Sequence, residues 1–245
     1  MNLDVIVFAA HPDDAELSMG GTILKFTNNK YKVGVVDLTR GEMGTRGTDK
    51  TRKNEADNAS KILKLKVREN LSIPDGNIEL SNNNLKKVVR IIRRHQPKII
   101  FAPYLNDRHP DHIDASALIK RAMFTSGLTK FKTVDGKNVQ KAYRPVKLYY
   151  FMQTYTFEPS FVVDITDTFD GKMKSVYAYK TQVYNPGKKK SNEPETFIST
   201  PEFIGYIEAR AKSYGFKIGK KYAEPFYTEE IVEMNLDGLF GKQFF

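Results

Sequence analysis

Apolar positions along this chain switch between two periods. Val5–Ala10 is an unbroken apolar run, as expected for a strand covered on both faces in a parallel sheet. Tyr31–Leu38, Val67–Ile73 and Lys98–Ala102 repeat that pattern further along. Between them the spacing becomes helical. From Asn83 to His95, Leu85, Val88, Val89 and Ile92 fall at i, i+3, i+4 and i+7, which predicts a helix with Arg90, Arg93 and Arg94 turned outwards, ended by Pro97. Further helices are predicted over Gly20–Asn29, from a Thr51 cap to near Leu65 with Ala56, Ala59 and Leu63 on one face, and over His112–Phe124. Pro74-Asp75-Gly76 marks a turn. Four successive strand–helix units predict an α/β fold: a Rossmann-like parallel sheet flanked by helices.

Beyond Ser126 the pattern loosens. A Lys- and Gly-rich stretch runs to Arg144, strands are predicted near Leu148–Gln153 and Phe161–Val163, and a helix from Thr166 to Lys180. Tyr184–Thr200 reads as a long polar loop, in which Lys188-Lys189-Lys190 is a solvated run. Thr200-Pro201 is a cap with proline at the first helical position, opening a helix to near Tyr214. With no repeat and no linker, a single domain over residues 1–245 is expected, with its core in residues 3–124 and a smaller C-terminal α/β extension in residues 125–245.

Composition narrows the chemistry. Lys+Arg 39 against Asp+Glu 29 gives a net charge of +10, which suits a nucleic acid, an anionic membrane or a small acidic substrate without choosing among them. There is no cysteine. Disulfides, thiolate metal sites and thiol nucleophiles are therefore excluded, and a transition metal would have to be held by Asp, Glu and the four histidines. Asp4 interrupts the first apolar run and His11-Pro12-Asp13-Asp14 ends it, so no signal peptide is readable. No stretch reaches the roughly 18 apolar residues of a membrane span, and a cytoplasmic protein is expected. Gly20-Gly21 is not part of a dinucleotide fingerprint, and no P-loop motif occurs.

In an open parallel sheet, ligands bind where the winding direction reverses, at the carboxyl ends of the strands. For the strand order 3-2-1-4-5 the reversal lies between the first and fourth strands, and each of these is followed by a histidine loop: His11-Pro12-Asp13-Asp14-Ala15-Glu16 and Arg108-His109-Pro110-Asp111-His112. Three of the four histidines are thus predicted to meet. His11, His112 and one of Asp13 or Asp14 form a two-histidine, one-carboxylate set that suits a catalytic divalent ion, zinc first and iron(II) as the alternative. The remaining aspartate is then free to accept a proton from water, and His109 to stabilise an oxyanion or protonate a leaving group. Taken singly, each loop also reads as an ordinary turn and helix cap. Their meeting at the switch point favours chemistry. His95, at a helix C-terminus, is explained by the helix dipole. Arg40, Arg46 and Arg52 also approach the crevice, where arginine forks would suit a substrate carboxylate.

At these loops the chain resembles the LmbE-like, or PIG-L, family of zinc-dependent N-acetylglucosamine deacetylases, through Ala10-His11-Pro12-Asp13-Asp14-Ala15-Glu16 and His109-Pro110-Asp111-His112. The resemblance spans Leu3 to Phe124. It implies His11, Asp14 and His112 as metal ligands, Asp13 as general base, His109 as stabiliser of the tetrahedral intermediate, and Asp111 as a group orienting a histidine. It also implies substrate contact by Arg52, which heads Arg52-Lys53-Asn54-Glu55. The segments Gly41–Gly47, Ile73–Gly76 and Ile218–Phe226 are similar to the N-acetylglucosaminyl malate deacetylases of bacillithiol biosynthesis. That similarity adds Arg46, Arg108, Glu42 and Asp75 as substrate-binding candidates. The implied partner is a small anionic amino-sugar, with no nucleic acid or membrane, and the aromatic-rich C-terminal half is compatible with a homo-oligomer. The alternative readings are a deacetylase of another GlcNAc-containing conjugate and, behind it, a one-metal phosphoesterase or a basic nucleic-acid-binding module.

Overall fold

The computed structural model describes residues 1–187 and 193–233; the run Lys188-Lys189-Lys190 lies outside them. The first half contains β1 (Val5–Ala9), α1 (Asp14–Asn28), β2 (Val33–Asp37), α2 (Asp49–Ile62), β3 (Val67–Asn70), α3 (Asn82–His95), β4 (Ile99–Pro103) and α4 (Pro110–Ser126). The second half adds the short strands β5 (Val134–Asp135) and β6 (Asn138–Val139), then β7 (Lys147–Phe151), β8 (Phe161–Asp164), α5 (Phe169–Val176), α6 (Pro201–Lys217) and β9 (Ala223–Tyr227). Seven strands form one sheet in the order β3-β2-β1-β4-β7-β9-β8. All are parallel except β9, which runs against both of its neighbours.

Side chains of β1 alternate between two cores. Ile6 and Phe8 pack with Val88, Val89 and Ile92 of α3 and Leu118 and Ile119 of α4, while Val5, Val7 and Ala9 pack with Met19, Ile23 and Leu24 of α1. Both faces are covered, which is why the run carries no polar residue. Each large apolar side chain so buried contributes about 1.5–3 kcal/mol. The chain winds from β1 out to β3, then returns to place β4 on the other flank of β1, so the loops after β1 and β4 are adjacent at the carboxyl edge.

α1 is two helices joined at Met19, whose backbone (φ −139°, ψ 24°) is not helical. The second half starts where the glycine pair predicts. Its first N–H groups, which the kink leaves without helical partners, are met by Glu224 of β9, which accepts from Gly21 N at 3.1 Å and from Thr22 N at 2.7 Å, as orphan helix donors require. Lys172 of α5 binds the same carboxylate at 2.6 Å. A Cβ on Gly21 would lie 2.8 Å from Ile165, so this close approach demands glycine.

Several expectations are corrected. Arg93 does not face out: it is 4% exposed and donates to the carbonyls of Ser126, Leu128 and Phe131 and to Thr133 Oγ1, fastening the turn after α4. Thr48, not Thr51, caps α2, and Thr51 is its reciprocal partner in the first turn. α5 is shorter than Thr166–Lys180, because Asp164 first turns the chain by accepting from Thr166 N. The apolar pattern does not predict β9. Among the described residues, no helix is long and apolar enough to cross a membrane.

Candidate active site

A crevice of about 600 Å³ opens at the carboxyl ends of β1 and β4. The two histidine loops converge there: the ring centroids of His11, His109 and His112 are 4.8 to 5.5 Å apart. Asp13 lines the crevice with a backbone φ of 116°, a left-handed conformation that costs a non-glycine residue on the order of 1–3 kcal/mol. Its neighbour Asp14 opens α1. One Asp14 oxygen accepts from His11 N at 2.8 Å and lies 3.6 Å from His11 Nδ1, and the other lies 3.3 Å from His112 Nε2.

Each of these two imidazoles is gripped from behind by carboxylate. His11 Nε2 meets Asp75 Oδ1 at 2.9 Å and Asp111 Oδ2 at 3.1 Å. His112 Nδ1 meets Asp107 Oδ1 at 2.9 Å. Asp111 is itself fixed by Gly76 N at 2.8 Å, and Asp107 by Thr154 N at 2.8 Å. Carboxylates behind imidazoles set the ring tautomer and raise ligand basicity, leaving His11 Nδ1, His112 Nε2 and an Asp14 oxygen facing one another.

The electrostatics agree with the geometry. Burial disfavours the charged form of His112, but Asp14 and Asp107 overcome it and push its pKa up to about 9. His11 is likewise raised well above its ordinary value, burial being outweighed by its bonds to Asp111, Asp14 and Asp75. Carboxylates that stabilise positive charge on both rings would equally stabilise a divalent cation between them. Among the described residues, two donor sets have their ligand atoms within 4.8 Å of one another: His11, Asp14 and His112, and His11, His109 and Asp111. The first is the better holder. His109 Nδ1 accepts from Asp111 N at 3.2 Å, so the neutral ring carries its proton on Nε2 and offers a donor there. Burial, and then the charges of His11 and His112, push the His109 pKa down and keep that ring neutral.

Asp13 differs from Asp14. Burial pushes its carboxyl up to about 7 against the pull of Arg52, whereas Asp14 is held well below the usual carboxylate range by His112 and His11 in spite of burial. One aspartate is held as an anion, while burial raises the proton affinity of its neighbour.

The predicted substrate contacts divide. Arg108 and Asp75 line the crevice, as does Arg52. Arg52 spends two donors on backbone carbonyls, Gly41 O at 2.6 Å and Pro12 O at 3.1 Å, and lies 3.7 Å from Asp13 Oδ2. Gly41 is bound to this arrangement: its φ is +68° and a Cβ there would overlap the Arg52 guanidinium. Glu42 and Arg46 are not brought to the crevice wall. Glu42 accepts from Asp75 N and Arg40 N, and Arg46 pairs with Glu193 beside the adjoining loop depression. His95 lies elsewhere, bonded to Glu69 and to Met1 O.

Sequence reasoning overlooked Asp107, although it stands two residues before His109 in the same polar loop. It also overlooked Gln153, just past β7, and Phe197, Phe203, Tyr206 and Arg210, all of which line the crevice. Nothing local marks these; they require knowing that β7 flanks β4 and that α6 packs beside α1.

Comparison with known proteins follows the same outline. The family described as GlcNAc-PI de-N-acetylase (PIG-L) matches residues 6–123, the segment that supplies both histidine loops. A conserved protein of Thermus thermophilus is 35% identical, with a TM-score of 0.85, covering 96% of this chain and 98% of that one. The diacetylchitobiose deacetylase of Thermococcus kodakarensis is 28% identical over 230 residues, 90% of this chain and 80% of that one. A probable N-acetyl-alpha-D-glucosaminyl L-malate deacetylase 2 of Bacillus cereus is 26% identical over 196 residues, 74% of this chain and 84% of that one. The matched loops are the ones that build the crevice, and this chain belongs to the PIG-L (LmbE-like) deacetylase family.

Proposed function

We propose that this protein is a zinc-dependent hydrolase that removes acetate from an N-acetylglucosamine conjugate, and that N-acetylglucosaminyl malate is that conjugate, as in bacillithiol biosynthesis. The observation that carries the reading is the meeting of His11, Asp14 and His112 in the crevice that Asp13 also lines. His11, Asp14 and His112 would hold the ion, with iron(II) as the alternative that the same donors accept. When bound, the ion polarises the amide carbonyl and lowers the pKa of water towards about 7.

The chain's own residues do the rest. Asp13 accepts a proton from the attacking water, its oxygen held close to Arg52. His109 donates from Nε2 to the oxyanion and then serves the departing nitrogen. The C–N amide bond breaks, water's oxygen joins the acetyl carbon and its protons pass to the amine, giving a glucosaminyl product and acetate. Asp107, Asp75 and Asp111 fix the two ligand rings. The malate assignment is supported by the Bacillus cereus relative and by Arg108, the exposed arginine on the crevice lining.

The test offers the zinc-loaded protein N-acetylglucosaminyl malate, diacetylchitobiose and a phosphodiester in parallel. New primary amine from the malate conjugate, faster than from the disaccharide, is expected. Amine from the disaccharide alone would sink the malate assignment, and phosphate release without amine would sink the deacetylase reading.

A further inference from the structure

One wall of the crevice is built from the α1 kink and the second half of the chain, and it holds polar atoms that no protein group satisfies. Ser18 is 3% exposed, lines the crevice, and its Oγ has no hydrogen-bond partner. Gln153, also on the lining, has Nε2 3.1 Å from His112 Nε2, while its buried Oε1 is unpartnered. Buried polar groups are normally paired, and two orphans on one wall call for an explanation.

Arg210 of α6 brings them together. At the kink, Gly21 N–H turns to Glu224, and Leu17 O instead accepts from Arg210 Nη2 at 3.1 Å. The other arm of the same guanidinium donates to Gln153 O. One rigid fork therefore fixes the turn that carries Ser18 against the residue that carries the Gln153 amide.

A row of rings continues along this wall. Arg210 stands over Tyr206 at 5.3 Å, Tyr206 is 6.5 Å from Phe203, Phe203 is 5.4 Å from Phe197, and Arg108 covers Phe197 at 4.4 Å. All five side chains line the crevice. Uncharged polar atoms beside aromatic faces match a pyranose ring, which has apolar C–H faces and a hydroxyl-bearing edge.

We propose that Ser18 Oγ and the Gln153 amide form a hydroxyl-recognising subsite for the sugar ring that carries the acetamide, with Tyr206 and Phe203 as its apolar floor. Arg210 is the positioning residue that holds the two polar groups side by side. The proposal rests on the deacetylase reading of the crevice. It assigns recognition of the ring to neutral side chains of this wall, in addition to the arginines first expected.

The experiment measures binding of N-acetylglucosamine and its 3-, 4- and 6-deoxy analogues to zinc-loaded protein by ligand-observed NMR, for wild type, Ser18→Ala, Gln153→Ala and Arg210→Lys. Each alanine variant is expected to weaken N-acetylglucosamine binding roughly tenfold, the worth of a neutral hydrogen bond, and to lose discrimination against one particular deoxy sugar. Arg210→Lys should weaken binding and blunt both discriminations. KM for the conjugate should rise in step while kcat changes less than twofold in Ser18→Ala. Sugar binding by Ser18→Ala and Gln153→Ala within twofold of wild type would overturn the subsite, as would wild type that binds no sugar. Binding that depends on both residues, with no amine released from any conjugate, would retain the subsite and sink the deacetylase reading instead.

Discussion

Two buried clusters of charge sit at opposite ends of the first turns of α1, and they are built in opposite ways. At the kink, Lys172 and Glu224 are each 2% exposed and paired one to one at 2.6 Å, and both Glu224 oxygens are taken up by Gly21, Thr22 and Lys172. In the crevice, His11 and His112 share Asp14, His11 also faces Asp75 and Asp111 and His112 faces Asp107, Asp13 adds a fifth carboxyl on a strained backbone, and Arg52 is already turned to two carbonyls. The first cluster is closed on itself. The second carries a surplus of anionic oxygen towards a cavity, which is the arrangement a cation and a reacting water can use. A buried ion pair is therefore weak evidence of function, and an unbalanced one beside a crevice is much stronger.

The comparison can be broken at several points. The largest effect is expected for His11→Ala, which should reduce bound zinc to background in elemental analysis and abolish amine release; full zinc occupancy would remove His11 from the ligand set. Asp13→Asn should retain zinc but lower turnover by about 10²–10⁴-fold, the usual worth of a positioned acid–base group, and near-wild-type turnover would refute the base assignment. Glu224→Gln leaves Lys172 buried without its counter-charge and should cost about 3–5 kcal/mol in denaturant unfolding, with zinc stoichiometry unchanged. If that variant lost its zinc while folded, the two clusters would not be separable. Asp107→Asn keeps the shape but weakens the grip on His112, and should lower zinc affinity about 10–100-fold in a competition titration.

The smallest effect concerns a third site, at the sheet edge. The hydrogen bond to His95, with help from Arg94, holds the Glu69 carboxyl below its ordinary value even though partial burial opposes this. A depressed folded pKa means stabilisation that is present above the unfolded value of about 4.3 and lost as pH falls through the lower folded one. Glu69→Gln should therefore lower the unfolding midpoint near neutral pH and narrow the gap to wild type in acid. A gap that widened in acid would reverse the sign.

How much of this was legible in the sequence follows from which interactions are local. The buried runs of β1 and β4, the amphipathic α3 and the two histidine loops were readable, because burial on both faces and one-sided burial each impose a period. The strand order then brought His11 and His112 together. β9 was hidden because Glu224 and Pro225 interrupt its apolar pattern: the carboxylate points inwards to serve the α1 kink, and the proline sits opposite Val162 of β8. The apolar pattern starts α1 late, at Gly20 rather than Asp14, because the kink at Met19 is closed by residues more than a hundred positions away, Lys172, Arg210 and Glu224. Arg93 misled because its helical position faces a turn, which a periodicity argument cannot see. The charge of Arg46 does not announce its pairing with Glu193 away from the crevice wall, and Arg52, which does line the crevice, turns two of its donors to carbonyls.

The most direct test of the central claim is a titration of zinc into chelator-stripped protein while following amine release from N-acetylglucosaminyl malate. Activity should be absent at the start and rise linearly to a plateau at one zinc per chain, as the His11, Asp14 and His112 set requires. Full activity in the stripped protein, or a plateau reached only at two zinc ions per chain, would contradict it.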